Sequence, residues 1–368
     1  MNPQTLVISG GGTRCLIFVE VLCRLEAHGK LSAVNHLWGT SAGALLAAMY
    51  ALTHSASRVK EILWSFDFSS FRDVEISNIL NMMSSWGMDN GDGLIRNLTM
   101  LLNACADKGA EKKLRDIPSL NICVADLTTH DTVVCNSTSF PDLRIVDALR
   151  ATMSLPILLR PFRAPNGHLW IDGGVRANFP FHLVPDQHGV LGLGFVRPIL
   201  TSPTGFGDYI FSMIHFDEPR RNYDYHASRD SRFLMVPTPP FPAWFVRLRA
   251  EDYVLIERMG AEAFEEWLRL RPTRLSPTRL SPTRLQPIGL EPTRLGHEPA
   301  RLVGAEELPP RTSGTPPPSD PPCIHLPSCP AHHTAGSSGI PRASPAPSQD
   351  SSPHSQPRIQ RISRRWSL

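Results

Sequence analysis

The stretch Leu37-Trp38-Gly39-Thr40-Ser41-Ala42-Gly43-Ala44-Leu45-Leu46 sets a serine between two glycines, with apolar residues on either side. Asn35 to Trp38 leads into it as a short strand, and Ala44 to Leu52 follows as a nearly all-apolar run, which predicts a helix buried on most sides. Glycines flanking a sharp strand-to-helix turn leave room for a strained, exposed serine and for an approaching carbonyl group. The same five residues also suit an ordinary tight turn or helix start. What Ser41 does must be read from its surroundings.

Upstream, Thr5 to Ser9 is a short β-rich run ending in Gly10, Gly11 and Gly12, and Arg14 to His28 carries apolar residues over a helical face until Gly29 stops it. The first fifty residues thus read as one β-α-β-α unit, which implies a parallel sheet covered by helices. The three glycines end the first strand, where their N–H groups and the helix N-terminus behind them suit an anion. A nucleotide-phosphate loop fits less well. Cys15 stands where G-x-G-x-x-G needs its third glycine, no G-K-[ST] follows, and Gly39 to Gly43 occupies the place where a dinucleotide site needs an acid.

Further on, Ser55 to Ser119 reads as mostly helical, with aromatic or methionine-rich patches at Phe66 to Phe71 and Asn81 to Trp86. Asn121 to Asn136 reads as a β-hairpin, Val146 to Met153 as a helix, and His168 to Ile171 as a strand ending at Asp172. Gly189 to Phe195 and Arg232 to Val236 are further strands, and Glu251 to Leu270 is a closing helix. Gly173 and Gly174 follow Asp172 and let its carboxylate approach another loop, although Asp-Gly-Gly also makes ordinary turns. A serine nucleophile needs a base. Asp172 is one candidate. His182, His188, His215 and His226 come in the right chain order for a histidine-based triad.

Composition divides the chain near residue 270. Residues 271–368 hold 20 of the 35 prolines, with 12 arginines, no lysine and 6 acids, so a tail of net charge +6 follows a body of −3. The expectation is one domain over residues 1–270 and a low-complexity, disordered basic arm over 271–368. The arm opens with Pro-Thr-Arg-Leu repeats that end at Leu295. Their period of five does not align prolines on the three-residue turn of polyproline II, and only Pro318/Pro321 and Pro327/Pro330 offer P-x-x-P spacing. Cys323, Cys329, His332 and His333 have the residue types of a zinc site at poor spacing. No apolar run reaches the roughly 18 residues of a membrane span, and the opening residues lack a signal-peptide pattern. Seven scattered cysteines fit reduced thiols, with Cys123 and Cys135 as packed thiols of the hairpin. An intracellular, cytoplasmic protein is expected.

Taken together, these motifs resemble those of the patatin-like phospholipases and lipid acyl hydrolases over about residues 5 to 270. Ser9 to Arg14 looks like the family's glycine-rich oxyanion loop, Gly39 to Gly43 like its nucleophile elbow, and Asp172 to Asn178 like its Asp-Gly-Gly segment. Ala125 to Thr128 and Ala151 to Pro156 are also similar to family elements. The resemblance implies a parallel-rich central sheet with helices on both faces, and a Ser-Asp dyad in which Ser41 is nucleophile and Asp172 its base. It further implies an oxyanion hole at Gly10, Gly11 and Gly12, an anion-binding or loop-bracing Arg14, and motif support from Gly39, Gly43, Gly173 and Gly174. The implied substrate is a glycerolipid met at a membrane or lipid-droplet surface, with no cofactor, no metal and no nucleic-acid partner; the arm's own partner is not legible. The chain departs from the family at Cys15, where glycine is usual. Two other readings stand beside this one: an α/β-hydrolase-type esterase with a Ser-His-Asp triad, and a catalytically silent lipid-binding or scaffold protein.

Overall fold

Strand β1 (Thr5–Ile8) is buried at all four positions, and its side chains alternate between two cores, Leu6 and Ile8 facing one and Val7 the other. Such two-sided burial is what a strand inside a covered parallel sheet requires. The computed structural model describes residues 2–71, 86–196, 209, 212, 218–241 and 248–270. The proposed arm at 271–368, its Cys/His cluster, His215 and residues 81–85 of the methionine-rich patch lie outside the described residues.

From β1 the chain makes a short turn of 3-10 helix (Gly12–Cys15), helix α1 (Leu16–Ala27), strand β2 (His36–Thr40) and helix α2 (Ala42–Thr53). Strand β2 lies parallel to β1, with Leu6 opposite Leu37 and Ile8 opposite Gly39. The expected β-α-β-α unit is therefore present. Residues 42 to 51 of α2 are all buried, as its apolar sequence requires. Helix α3 (Ala56–Trp64) is capped by the Ser55 hydroxyl, which accepts from the Arg58 N–H.

Strand β3 (Gly87–Asp89) and helix α4 (Asp92–Cys105) precede the hairpin of β4 (Leu120–Asp126) and β5 (Asp131–Cys135). Cys123 faces Val134 and Cys135 faces Ile122; the two thiols lie in different cores, are both free, and form no disulfide. Helix α5 (Ile145–Thr152), strands β6 (Ile157–Leu159), β7 (Phe162–Arg163) and β8 (Leu169–Asp172), and the one-turn helix α6 (Gly174–Ala177) follow. Strand β9 (Val190–Val196), helix α7 (Glu218–Ala227), strand β10 (Phe233–Pro237) and helix α8 (Ala250–Leu268) complete the described strands and α-helices.

The main sheet has the order β10-β9-β1-β2-β4-β8-β7, parallel from β10 to β4, with β8 and β7 added antiparallel and β5 paired to β4. A separate pair, β3 with β6, is parallel. Helices α1 to α5 and α8 contribute to the larger core on one face. On the other face, Phe179, Phe181 and Tyr225 of α7 pack against Phe233 and Met235. The expected mixed α/β architecture, with helices on both faces of a mostly parallel sheet, is what the chain adopts. Glu20, buried in α1, pairs with Arg24 and with Lys60 of α3, and Lys60 also reaches Glu257 of α8.

One edge of β4 is shared by two strands. β5 pairs with residues 122 to 126 of β4, so β2, paired at 120 to 123, and β8, paired at 124 to 126, must occupy the opposite edge. β2 runs parallel to β4 and ends at Thr40 opposite Cys123, whereas β8 runs antiparallel and ends at Asp172 opposite Val124. The C-terminal ends of β2 and β8 thus meet head to head.

Candidate active site

Ser41, the residue after β2, therefore stands beside Asp172, the last residue of β8. Ser41 Oγ donates to Asp172 Oδ2 at 2.9 Å. The serine has φ 52° and ψ −129°, a region that non-glycine residues avoid, and such strain is of order 1 to 3 kcal/mol. The turn is tolerated because the glycines let chains approach. A Cβ on Gly43 would strike the carbonyl oxygens of Ser9 and Ile8, and one on Gly39 would lie 2.6 Å from the backbone of Ala44. Ser41 is half-buried among buried neighbours and sits at the N-terminus of α2, whose dipole favours negative charge there.

Asp172 is 2 % exposed. Burial pushes its pKa up to about 7, opposed by the Gly174 N–H, which donates to Oδ1 at 2.7 Å, and by the Ser41 hydroxyl. Gly173 lies so close to β4 that a Cβ would strike the Cys123 carbonyl oxygen. A carboxylate held near neutrality against a hydroxyl can take that proton and return it.

The glycine loop closes the third side. A Cβ on Gly10 would lie 3.2 Å from Ser41 Cβ, so this loop passes directly over the serine. The Gly10 N–H, however, donates to the Asn178 carbonyl at 2.9 Å. That corrects the expectation for Gly10: its N–H is already engaged, and its part is close approach. Among the described residues no partner accepts from the N–H of Gly11 or Gly12, and Gly12, at φ 59°, is half-buried. Both N–H groups could donate to an anion at this position. Cys15 fits where glycine was expected, its buried thiol donating to the Ser9 carbonyl at 3.4 Å.

Arg14 is 7 % exposed, and its Nε donates to the Phe241 carbonyl at 2.7 Å. Through this donor it braces the loop against the segment before α8, the second of the two uses expected of it. Phe68 and Phe241 are buried in the core, and Phe66 packs against it.

The histidines stand apart. His168, four residues before Asp172, is hydrogen-bonded through Nδ1 to Asp126 Oδ2 at 2.7 Å. Burial works against the charge of Asp126, but His168 and the N–H groups of Thr128 and Thr129 outweigh it and hold the carboxyl below its usual value. His188 pairs with Asp186, and His182 is exposed. No described histidine lies between Ser41 and Asp172.

Sequence reasoning missed the backbone supports. Thr152 Oγ1 accepts the Ser41 N–H at 2.9 Å, and the Ser154 carbonyl accepts the Asp172 N–H at 2.8 Å. Thr40 Oγ1 donates to the Ala177 carbonyl at 2.7 Å. Buried Arg150 donates to the carbonyls of Asn90 and Arg160, each at 3.0 Å, and to Ser154 Oγ. Single hydroxyls near a helix end carry no periodic signal; only the quoted motif around Thr152 pointed there.

The family model described as Patatin-like phospholipase matches residues 6–185, a range that holds the glycine loop, Ser41 and Asp172. Residues 6–185 are a patatin-like phospholipase domain. The chain is similar to "Probable lipid hydrolase 463L" of Invertebrate iridescent virus 6, at 22% identity over 196 residues covering 50% of this chain and 64% of that one. It is similar also to human "Patatin-like phospholipase domain-containing protein 6", at 29% identity over 184 residues covering 49% of this chain and 12% of that one. The chain thus spans less than two thirds of these relatives' own length. Among solved structures, VipD from Legionella pneumophila aligns with a TM-score of 0.48 at 15% identity, covering 73% of this chain and 67% of that one. Among the described residues, no helix is long and apolar enough to cross a membrane.

Proposed function

We propose that the patatin-like domain hydrolyses a fatty acyl ester of a glycerolipid, a phospholipid in particular, through an acyl-enzyme on Ser41 with Asp172 as the base. The observation that carries this reading is the direct 2.9 Å hydrogen bond from the strained serine to a buried carboxylate. Ser41 Oγ attacks the ester carbonyl carbon while its proton passes to Asp172. The carbonyl oxygen becomes an oxyanion facing the N–H groups of Gly11 and Gly12. As the tetrahedral centre collapses, the C–O bond to the glycerol breaks and the leaving oxygen takes the proton from Asp172. Water then repeats the sequence against the acyl-serine, giving the fatty acid and restoring Ser41. The lipid-hydrolase name of the viral relative supports the substrate class. The basic arm, with net charge +6, supports contact with an anionic lipid surface.

The test is a fluorophosphonate probe on the full chain, followed by a panel of phospholipids, lysophospholipids and neutral lipids. Labelling is expected at Ser41 and absent in Ser41→Ala. Ser41→Ala and Asp172→Asn are each expected to lose about a thousandfold or more in turnover, and the double variant no more than either alone, since the two groups act as one unit. His168→Ala and His182→Ala keep substantial activity. If a single histidine change abolishes turnover while Asp172→Asn stays active, the mechanism is instead a histidine-based triad; an unlabelled wild type would favour the silent lipid-binding protein.

A further inference from the structure

The segment from Ala151 to Pro156 leaves the end of α5 and passes beneath both Ser41 and Asp172. Its two hydroxyl residues, Thr152 and Ser154, are fully buried. Thr152 Oγ1 accepts the Ser41 N–H at 2.9 Å and donates its own proton to the Cys123 carbonyl. One hydroxyl therefore joins two backbone groups that would otherwise need other partners. Cys123 is the β4 residue opposite which β2 ends. The hydroxyl thus pins the start of the serine turn to the strand that carries both β2 and β8.

The geometry explains why a pin is needed. At φ 52° and ψ −129° the serine is bent out of its strand into a conformation its side chain disfavours. Its N–H is not used by α2, whose first bonds run from Ala44 and Leu45 to the Ser41 carbonyl. A partly buried N–H without an acceptor is destabilising, and relaxing the turn to find one would swing the side chain off Asp172. Because the Thr152 proton goes to Cys123, its lone pair is oriented toward Ser41.

We infer that Thr152 is a positioning residue for the reaction: it acts through the backbone of Ser41, holding the strained turn so that Oγ stays on the Asp172 carboxylate. It touches neither the ester nor the transferred proton. The inference rests on the reading of Ser41 as nucleophile, and the two fail differently. A positioning role lowers the rate of the covalent step and leaves probe binding alone. A packing role changes how much protein folds and leaves the folded protein's reactivity alone.

The experiment measures the saturation kinetics of fluorophosphonate labelling on the full chain, for wild type, Thr152→Val and Thr152→Ser. Valine keeps the shape and removes the hydroxyl; serine restores it. The maximal labelling rate is expected to fall about 10- to 100-fold in Thr152→Val, the range expected for losing one buried hydrogen bond. The half-saturating probe concentration should hold within about twofold, and Thr152→Ser should recover to within about threefold of wild type. Should the valine variant not fold, Thr152→Ala is read in the same way. A valine or alanine variant labelled at the wild-type rate, or a serine variant as slow as valine, overturns the inference while the nucleophile reading survives. A wild type that is not labelled at Ser41 overturns both.

Discussion

At the scale of single residues, Asp172 carries two opposed demands. Burial raises its pKa to about 7, so the charged form that the proposed mechanism needs to accept a proton is the form that folding disfavours. Turnover should therefore rise with pH to a plateau, with its midpoint near 7 and set by Asp172. The sign for stability runs the other way. Between the ordinary carboxyl value of about 3.9 and the raised one, the native protein keeps a proton that the unfolded chain has released. Native stability is accordingly lost as pH rises through that window. Asp172→Asn removes the cost while keeping the shape. It is expected to be inactive yet to melt higher than wild type at pH 8, with the difference shrinking toward pH 4, as thermal denaturation at both pH values will show. Cys15 makes a second case. Burial, with Asp172 adding to it, raises the thiol pKa well above its usual value, so little thiolate is present for alkylation. Treatment of native protein with N-ethylmaleimide should leave esterase activity intact and Cys15 unmodified, as peptide mapping can verify. Arg14 illustrates what a sequence withholds at this scale. Its position beside the glycines was legible and bracing was one of its two expected uses, but its partner was not legible, because the carbonyl it meets belongs to Phe241, 227 positions away.

Among the elements, the β1-α1-β2-α2 unit was legible because glycines punctuate it and its apolar runs have one period each. The strands β4, β5, β8, β9 and β10 also lie where alternating or continuous apolar runs predict them. β3, β6 and β7, of three, three and two residues, were not legible, since so few residues show no period. Nor does a sequence state direction. The antiparallel setting of β8, which brings Asp172 to Ser41, depends on which edge of β4 is open, and that edge is defined only once β5 has taken the other. The serine turn makes a sharper prediction. A methyl group at Gly43 has only the backbone oxygens of Ile8 and Ser9 to push against, whereas Gly29, at φ 64°, has open space around it. Gly43→Ala should cost about 3 kcal/mol or more by overpacking, against about 1 kcal/mol for Gly29→Ala from its left-handed backbone. Urea denaturation of the two variants, side by side, measures the contrast.

For the molecule as a whole, composition suggests that the reaction and its attachment to lipid are divided along the chain. A variant ending at residue 270 should keep its turnover of dispersed ester substrates. It should bind anionic vesicles more weakly at low salt, by on the order of 1 kcal/mol for each basic residue no longer held near the surface. Co-sedimentation with vesicles, with and without added salt, checks this; unchanged binding would assign attachment to the domain itself. The head-to-head meeting of β2 and β8 bears on the order in which the protein acquires its properties. Ser41 and Asp172 are 131 positions apart, and bringing such distant points together costs about 4 kcal/mol of chain entropy before any contact repays it. Helices such as α1 and α2 form from neighbouring residues and do not wait for that closure. On dilution from denaturant, helical circular dichroism should accordingly return before the serine regains its reactivity toward fluorophosphonate. During synthesis, likewise, a nascent chain that has emerged through α5 but not yet through β8 holds Ser41 without Asp172 beside it, and on the proposed mechanism its reactivity is expected only when that later strand arrives.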